Sequence, residues 1–352
     1  MKPVYVLGNG QLGNMLREAG HRIGVDVITM SIDDDIVVPA DVKITAEREH
    51  WQPSEFISKI ISHPGWLNPQ TFVDIPDRRR QKKILDALDL PTSPWCITTS
   101  ETCIGELVDK LGGQFLLKSA RDGYDGKGQW RSNGQVNPML PEWKNNAIAE
   151  SFISFDTEVS LVGARNKSGE FTFFDLTENF HADGILQISI KTERTFDGYQ
   201  KKAEAYLSKL MDSLDYVGVM TAEFFISDDG LLINEIAPRV HNSGHWTQAG
   251  ASVSQFELHL RAICDLPLPR IDQSGSSMMI NLIGSPLAPE WFSAPGARVH
   301  WYGKDVRPGR KLGHVNFHHP DSQTLADWLE QLPLENQYSK NYELAKNRLI
   351  NG

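Results

Sequence analysis

The stretch GVMTAEFFISDDGLLINEIA, residues 218–237, contains two strand-like runs of period two on either side of a short polar segment. Runs of this kind joined by Ser-Asp-Asp-Gly predict a β-hairpin. Folding the hairpin about Asp229 places Glu223 and Glu235 opposite each other on one face, because each lies six residues from the centre. The pattern therefore predicts two facing carboxylates.

Such a pair needs a compensating charge, because like charges at directly opposed positions of a sheet repel. A divalent cation would supply it, and Mg²⁺ prefers oxygen ligands and often bridges to nucleotide phosphates. We therefore interpret Glu223 and Glu235 as metal ligands. The alternative is that these carboxylates face solvent or pair with Arg239.

A glycine-rich segment, DGYDGKGQ at 122–129, lies upstream of the hairpin and follows the strand-like run FLLK, which ends at Lys118. The backbone N–H groups of such a loop can approach phosphates, and a lysine on the strand can neutralise them. Taken alone, the segment is better explained as a plain turn. Together with the hairpin it predicts a site for a nucleoside triphosphate, although no Walker GxxxxGK[ST] motif is present.

The N-terminal segment VYVLGNGQLGNML, residues 4–16, carries Gly8-x-Gly10-x-x-Gly13 between a predicted strand (3–7) and a predicted helix (11–21). A second strand at 25–30 would complete a βαβ unit and hence a parallel sheet. Three glycines at this spacing are typical of dinucleotide-binding proteins. An NAD or flavin oxidoreductase is therefore an alternative function.

The composition narrows the class of protein. The chain has 352 residues and a formal net charge of −10, which argues against a nucleic-acid-binding protein. Cys96, Cys103 and Cys264 form neither a CxxC pair nor a zinc-binding spacing. We see no signal-peptide pattern and no apolar stretch long enough to span a membrane, so we expect a cytoplasmic protein that does not bind membranes.

Further along the chain, helix patterns at 55–62, 78–88 and 200–214 alternate with strand patterns, among which we include TFVDI at 71–75. After a proline-containing boundary near residues 90–95 the patterns indicate much antiparallel pairing. The sequence therefore predicts a combination of α/β and α+β architecture, with a strand-rich module from about residue 275.

Six segments together give a specific resemblance. They are GNGQLG (8–13), GYDGKGQ (123–129), EVSLVGAR (158–165), ENFH (178–181), PRVHNSGHWT (238–247) and RPGRKLGH (307–314). In this order they closely resemble the 5-(carboxyamino)imidazole ribonucleotide synthase family of the ATP-grasp superfamily. The resemblance implies an ATP-grasp fold with an N-terminal Rossmann-like domain and a small C-terminal strand-rich domain. The implied ranges are 1–92 for the N-terminal substrate domain, 93–268 for the ATP-grasp domain (93–160 as the lid, 161–268 as the Mg-ATP part) and 269–352 for the C-terminal domain.

The family reaction is implied in the same way. ATP phosphorylates bicarbonate to carboxyphosphate, and the amine of 5-aminoimidazole ribonucleotide takes up the carboxyl group in purine biosynthesis. ATP, Mg²⁺ (or Mn²⁺ in its place) and bicarbonate would be required, and a homodimer is implied. Other ATP-grasp carboxylate–amine ligases, resembling biotin carboxylase or the formate-dependent transformylase, and a non-catalytic binding protein remain alternatives.

The resemblance also implies roles for individual residues. The predicted ATP-binding residues are Arg78, Lys118, Gly123, Tyr124, Asp125, Gly126, Lys127, Gly128, Gln129, Glu150, Ser151, Phe152, Ile153, Glu158, His181, Asn234 and Glu235, with the metal on Glu223 and Glu235. The residues assigned to bicarbonate or carboxyphosphate, as the catalytic group, are Arg239, His241, Asn242 and Ser243. The residues assigned to the ribonucleotide are Gln11, Leu12, Glu47, Tyr124, Asp125, Lys127, Lys304, Arg310 and Lys311. In this interpretation, residues 8–13 hold the 5′-phosphate or ribose end of the ribonucleotide.

Overall fold

The structure is a computed structural model and describes residues 1–31, 34, 36–121, 123, 128–132, 140–193, 196, 198–332 and 338–351. Four residues with predicted binding roles, Tyr124, Asp125, Gly126 and Lys127, lie outside the described residues. Within the part of the chain that the structure describes, none of the helices combines the length and the hydropathy that a bilayer span requires.

The N-terminal region forms a parallel three-stranded sheet of order β2-β1-β3. The strands are β1 (Val4–Leu7), β2 (Val27–Met30) and β3 (Lys43–Ala46), and helix α1 (Gln11–Arg22) connects the first two. The predicted βαβ unit is therefore confirmed, while the third strand comes from a segment that the sequence patterns did not reveal. Helices α2 (Glu55–Ile61), α3 (Thr71–Asp74) and α4 (Arg78–Ala87) follow.

The predicted strand at 71–75 is wrong, because these residues form the single turn of α3. The Phe72 N–H donates to the Asn68 carbonyl at 3.3 Å, and the Phe72 ring packs on Trp66 with centroids 5.1 Å apart. Asn68 itself has a positive φ of 55° and bonds to Val217 of a distant segment. The apolar side chains that suggested a strand therefore pack from one helical turn.

A four-stranded antiparallel sheet of order β4-β7-β5-β6 follows. Its elements are β4 (Trp95–Thr98), α5 (Ile104–Leu111), β5 (Phe115–Ser119), β6 (Gln129–Arg131), a 3₁₀ turn (Glu142–Asn146) and β7 (Ala147–Ser151). Buried Leu107 and Leu111 of α5 pack against Phe115 and Leu117 of β5. Leu116 pairs with Glu150 and Lys118 with Ile148, so Lys118 and Glu150 are diagonal neighbours on the same face.

The largest sheet has nine described strands in the order β13-β12-β8-β10-β11-β14-β16-β15, with β9 paired to β8. The strands are β8 (Thr157–Arg165), β9 (Phe171–Phe173), β10 (Thr177–Ala182), β11 (Ile185–Lys191), β12 (Gly218–Ser227), β13 (Gly230–Ala237), β14 (Ser276–Ile283), β15 (Arg298–Trp301) and β16 (Lys311–His319). The accompanying helices are α6 (Tyr199–Ser213), α7 (Thr247–Gly250), α8 (Gln255–Cys264), α9 (Glu290–Ser293), α10 (Ser322–Leu329) and α11 (Ser339–Asn351).

Both faces of this sheet are covered. Helix α6 packs on one face, where Leu207, Leu210 and Met211 are buried. On the other face lie α8, with Phe256 and Leu260, and the segment 238–254; α8 also contacts α1 and so joins the sheet to the N-terminal region. Each fully buried side chain of this size stabilises the fold by roughly 1.5–3 kcal/mol relative to exposure.

The described architecture bears on the predicted domain boundaries. The predicted boundary at 160/161 falls inside β8, because the strand continues from residue 157 to residue 165. The C-terminal strands are not a separate sheet either, since β14 pairs with β11 in continuous register. The predicted mixture of α/β and α+β architecture is confirmed, with a parallel sheet followed by two antiparallel ones.

Candidate active site

The hairpin of β12 and β13 holds Glu223 directly opposite Glu235, as the sequence predicted. A β-bulge produces this register. Ser227 pairs with Gly230 around a two-residue turn, which alone would bring Glu223 opposite Asn234. The register shifts between Glu223 and Phe224, so that Asn234 is the extra residue and Glu235 takes the facing position.

Two further groups join Glu223 on this face of the sheet. The side chains of Glu158 (β8), His181 (β10) and Glu223 each place a potential ligand atom within 4.8 Å of the others. His181 Nδ1 lies 3.2 Å from Glu158 Oε2, and His241 Nε2 lies 3.8 Å from Glu223 Oε1. Three strands thus direct carboxylate and imidazole groups at one point.

Among the described residues, the carboxylates at this point outweigh the cations that act on Glu223. Burial and the neighbouring carboxylates of Glu158 and Glu235 raise the pKa of Glu223 to about 8. Burial by itself would lower the pKa of His181, but the adjacent Glu158 outweighs it and the pKa is raised. A cluster of this kind favours an added cation, which would lower the cost of ionising Glu223.

The alternative interpretation, in which the two glutamates face solvent or pair with Arg239, holds for one of the two side chains only in part. Glu235 is exposed, while Glu223 is buried. The ion-pair partner of Arg239 is Glu49, whose Oε1 lies 2.8 Å from its Nε, while Glu235 and Glu223 act on Arg239 only as more distant charges that raise its pKa. The carboxylate oxygens of Glu158 and Glu223, with Glu235 opposite Glu223 on the hairpin, fit a hard divalent cation such as Mg²⁺.

A second charged group connects the four-stranded sheet to the hairpin. Glu150 is buried between two lysines, with Oε1 at 2.6 Å from Lys82 Nζ and Oε2 at 2.5 Å from Lys118 Nζ. Burial opposes its ionisation, but the two lysines outweigh it and lower the pKa of Glu150 to about 2. Lys118 Nζ also donates to Asn234 Oδ1 at 3.3 Å. Lys118, Glu150 and Asn234, all predicted ATP-binding residues, therefore lie together.

Sequence reasoning missed Lys82. Its side chain is 1% exposed and lies on the buried face of α4, three residues before buried Leu85. A lysine at a core position of an amphipathic helix is unusual unless it is paired. The position of Lys82 three residues before an apolar residue of the same helix face was the sequence signal that could have indicated a buried, paired lysine.

The described part of the glycine-rich loop is fixed by Arg78. Its Nη1 and Nη2 donate to the carbonyls of Ser119 and Gly123, each at 3.0 Å. At the other end of the loop, Gly128 has a φ of +68° and its carbonyl accepts from the Ser119 N–H. Gln129 then begins β6 opposite Lys118. The Arg78 side chain thus holds the backbone at the start of the loop through two hydrogen bonds.

The segment after β7 bears the other predicted ATP residues. Ser151 Oγ donates to the Leu111 carbonyl at 3.0 Å, and the Phe152 N–H donates to the Gln114 carbonyl at 3.1 Å. Ile153 is half-buried. Beyond this segment, a cavity of about 570 Å³ adjoins Glu158 and His181 and extends to α11.

The segment PRVHNSGHW (238–246) lies on the same face of the large sheet. Three of its residues, His241, Asn242 and Ser243, are in contact with groups on neighbouring elements. His241 Nδ1 lies 2.9 Å from Ser243 Oγ, which accepts a 2.8 Å hydrogen bond from Ser160 of β8. Burial, followed by the charge of Arg239, lowers the pKa of His241 well below its ordinary value. His241 is therefore a neutral hydrogen-bonding group at pH 7.

Asn242 is bound to the C-terminal strands. It exchanges two amide hydrogen bonds of 3.0 and 2.6 Å with Asn281 of β14. Asn316 of β16 donates to the His245 carbonyl at 2.8 Å, and Trp246 Nε1 donates to Thr177 Oγ1 at 2.9 Å. Sequence reasoning missed Asn281, for which there was no local signal. The strands beneath the segment therefore hold it from several directions.

The glycine turn at 8–13 is occupied by a side chain of the protein. The N–H groups of Gly10 and Gly13 donate to the two carboxylate oxygens of Glu47, each at 2.8 Å. A Cβ on Gly8 would lie 2.2 Å from Glu47 Cγ, so the turn closes directly on this side chain. A 5′-phosphate at this turn would compete with Glu47 for the same N–H groups, so the assignment of residues 8–13 to the 5′-phosphate or ribose end of the ribonucleotide stays a prediction. The same contact removes the pyrophosphate site of a dinucleotide enzyme.

Gln11 and Leu12 are half-buried at the start of α1, beside this turn. Of the predicted basic residues, Lys304 lies three residues after β15, Arg310 directly precedes β16 and Lys311 is the first residue of β16. Lys311 is close enough for its charge to lower the pKa of Glu223. Arg310 Nη1 donates to the Asp305 carbonyl at 3.1 Å, and Lys304 Nζ lies 5.3 Å from the centre of the Tyr302 ring. This basic group therefore extends from the carboxylate cluster to the surface.

Known proteins resemble the whole chain. Residues 83–256 match the ATP-grasp domain family, and residues 277–327 match the phosphoribosylaminoimidazole carboxylase C-terminal domain. The N5-carboxyaminoimidazole ribonucleotide synthase of Escherichia coli strain K12 is 48% identical over 335 residues, or 94% of each chain. The ATP-grasp fold predicted from the sequence is thereby confirmed.

Solved structures agree. The N5-carboxyaminoimidazole ribonucleotide synthetase of Thermus thermophilus is similar with a TM-score of 0.82 and 34% identity, covering 94% of this chain and 100% of that one. The N5-carboxyaminoimidazole synthase of Aspergillus clavatus in complex with ADP and 5-aminoimidazole ribonucleotide is similar with a TM-score of 0.80 and 26% identity, covering 99% of both chains.

Proposed function

The chain belongs to the N5-carboxyaminoimidazole ribonucleotide synthase family, and on this premise we propose that it carboxylates 5-aminoimidazole ribonucleotide with ATP and bicarbonate. The products are N5-carboxyaminoimidazole ribonucleotide, ADP and phosphate, and the reaction belongs to purine biosynthesis. The observation that carries the proposal is the meeting of Glu158, His181 and Glu223 at one point, with Glu235 opposite Glu223 on the hairpin and Lys118 bound to the neighbouring Asn234.

We propose that Mg²⁺, with Mn²⁺ as a substitute, is held by Glu223 and Glu235. The raised pKa of Glu223 supports this role, because burial and then the repulsion from Glu158 and Glu235 oppose its ionisation, and a bound cation would offset both. When bound, the metal would neutralise charge on the transferring phosphoryl group. Lys118 and the loop from Gly123 to Gln129 would neutralise the remaining phosphate charge.

The nucleotide would lie between the four-stranded sheet and the large sheet. Arg78 supports the glycine-rich loop, and residues 150–153 border the cleft at the end of β7. Glu158 and His181 lie at the opposite border, beside the 570 Å³ cavity. These positions support the nucleotide-binding roles that the resemblance implies for these residues.

In the proposed reaction, a bicarbonate oxygen attacks the γ-phosphorus of ATP and ADP leaves, giving carboxyphosphate. The amine nitrogen of the ribonucleotide then forms a bond to the carboxyl carbon, while the C–O bond to phosphate breaks and the amine loses a proton. Arg239 and neutral His241 would orient the anionic intermediate, because Arg suits planar oxyanions and His241 can hydrogen-bond without adding charge. Asn242 and Ser243 hold this segment in place.

The position of Glu47 supports one orientation of the ribonucleotide. Since its carboxylate fills the glycine turn, the part of the substrate near Gln11 must offer hydrogen-bond donors such as ribose hydroxyls or the amine. The 5′-phosphate would lie instead at Lys304, Arg310 and Lys311. A local basic group on an acidic protein also steers an anionic substrate.

A substrate-omission assay of ADP release tests the proposal. We expect ADP to form only when ATP, Mg²⁺, bicarbonate and 5-aminoimidazole ribonucleotide are all present. Strong ADP formation with a different amine acceptor, and none with this one, would instead favour another ATP-grasp ligase.

We further propose a homodimer in the cytoplasm, as the family resemblance implies. Light scattering coupled to gel filtration should give about twice the mass of one chain, 39.5 kDa. Cell fractionation should recover the protein with cytoplasmic markers. A monomeric mass at micromolar concentration would contradict the dimer.

A further inference from the structure

Lys82 is a buried cation that the proposed reaction does not use. Its ammonium group lies 2.6 Å from Glu150 Oε1 and also donates to Thr92 Oγ1. Thr92 Oγ1 in turn donates to the Ile233 carbonyl at 2.7 Å, in the residue before the bulge at Asn234. Lys82 therefore connects α4, the four-stranded sheet and the strand that carries Glu235.

The cluster of Lys82, Glu150 and Lys118 holds two positive charges and one negative charge. Glu150 shares one oxygen with each lysine, so neither lysine has the carboxylate to itself. If Glu150 paired with Lys118 alone, that pair would be neutral, and Lys118 would offer little attraction to an anion. The second lysine leaves the cluster with one net positive charge next to Asn234.

A structural requirement alone does not explain this arrangement. Burying Lys82 is costly, and burial lowers its pKa despite the neighbouring Glu150. An apolar residue at position 82 and a neutral residue at position 150 would fill the same space at less cost. The additional buried charge therefore has a use at the side of the cluster where Lys118 faces Asn234.

We propose that Lys82 is a positioning residue that neutralises Glu150, so that the charge of Lys118 remains available to the phosphates of the nucleotide. The inference rests on the proposed function, since it requires a nucleotide at Lys118. It assigns to Lys82 an electrostatic effect on nucleotide affinity without any contact between Lys82 and the nucleotide.

The test is a double-mutant cycle with Lys82→Met, Glu150→Gln and the combined variant. The measured quantity is the Kd for ADP with Mg²⁺ by calorimetry, together with the KM for ATP and kcat. We expect Lys82→Met to weaken nucleotide binding roughly tenfold, because one net charge is lost in a partly buried site. The combined variant regains one net positive charge and should bind ADP more tightly than Lys82→Met, which gives the sign of the coupling between Lys82 and Glu150.

Lys191→Met is the matched control. Lys191, the last residue of β11, is also a buried lysine, 2% exposed, and is bound to Asp175 and to the carbonyls of Gln273 and Gly275. We expect it to lower the melting temperature without changing the Kd for ADP. If Lys82→Met does not fold, the comparison of Glu150→Gln with the combined variant replaces it, and the combined variant should bind nucleotide more weakly than Glu150→Gln.

Two results would overturn the proposal. One is a combined variant that binds ADP no better than Lys82→Met, which would indicate that Lys82 acts only through packing. The other is an unchanged Kd in Lys82→Met. The calorimetric measurement needs no acceptor substrate, so a failure of the proposed carboxylation would appear separately, as wild-type protein that binds ADP but does not turn over.

Discussion

The carboxylates that follow β3 and those on the large sheet differ in the groups that surround them. Glu47 accepts hydrogen bonds from two glycine N–H groups, and Glu49 pairs with Arg239, so both have partners within the protein. Glu223 instead faces Glu235 across the hairpin, and its pKa is raised. A carboxylate with hydrogen-bond donors around it stabilises the fold, whereas the buried Glu223, which lies among other carboxylates, is the residue at which we propose that a cation binds.

The largest effect that we expect from this comparison is on turnover. Glu235→Gln and Glu223→Gln each remove a charge from the proposed metal site, so kcat/KM should fall by at least about 100-fold while the fold is retained. Steady-state kinetics and circular dichroism measure the two effects. Glu257→Gln, which only breaks the pair with Arg261 on α8, is the control and should keep normal turnover. Full activity in Glu235→Gln would contradict the assignment of the metal.

The next largest effect is on the free energy of unfolding, which removal of a carboxylate should lower at Glu47 and raise at Glu223. Glu47→Ala leaves the N–H groups of Gly10 and Gly13 without acceptors, which should cost roughly 2–3 kcal/mol of unfolding free energy. Glu223→Gln should stabilise the metal-free protein at pH 8, because it removes a repelling charge. Urea unfolding of both variants measures the difference. Equal destabilisation by both would remove the distinction between the two regions.

The pH dependence of stability sharpens the same comparison. The pKa of Glu223 is about 8 in the folded protein and near 4.5 when unfolded, so the folded state holds the proton between these values. The contribution of Glu223 to stability is therefore fully present below about pH 4.5 and is lost as the pH rises to 8. Melting curves without metal should show this slope in the wild type.

The same slope should be reduced in Glu223→Gln, which has no carboxyl group to titrate. Glu47→Gln is the comparison, since this variant keeps Glu223 and should keep the slope. A wild-type stability that rises steadily from pH 5 to pH 8 would contradict the prediction.

The smallest effect is on the ribonucleotide. Gln11 lies beside the turn that Glu47 fills, and Gln11→Ala should raise the KM for 5-aminoimidazole ribonucleotide by about fivefold, equivalent to one lost hydrogen bond. The KM for ATP should change less. Initial rates with each substrate varied in turn distinguish the two, and an equal rise in both values would place Gln11 elsewhere in the mechanism.

The sequence predicted the facing pair of Glu223 and Glu235 because strand period and turn composition are local signals. It did not predict the bulge at Asn234; the expected centre at Asp229 included the extra residue without identifying it. The same period also suggested a strand at 71–75, where apolar residues form one helical turn. Local patterns therefore predicted where regular elements lie, but not the bulge in the hairpin or the helical conformation of residues 71–75.

Long-range partners could not be predicted in this way. Glu49 and Arg239, or Asn242 and Asn281, are brought together only when separate elements pack, and neither residue of a pair carries a sign of the other. Similarly, the glycine spacing at 8–13 indicated an anion but not its source, which is Glu47 of the protein itself. The resemblance supplied the expected roles, and the structure adds the groups that hold those residues in position.

The continuous large sheet has a consequence for how the protein is made. Strand β11 can pair with β14 only after the segment that begins at residue 276 has been synthesised. Asn242 likewise lacks its partner Asn281 until β14 and β16 have joined the sheet. Until then, β11 would present an open edge of N–H and C=O groups that could pair with another chain. Ribosome-bound chains that end near residue 268 should therefore depend on chaperones, and a truncated protein of that length should aggregate rather than persist as a smaller enzyme.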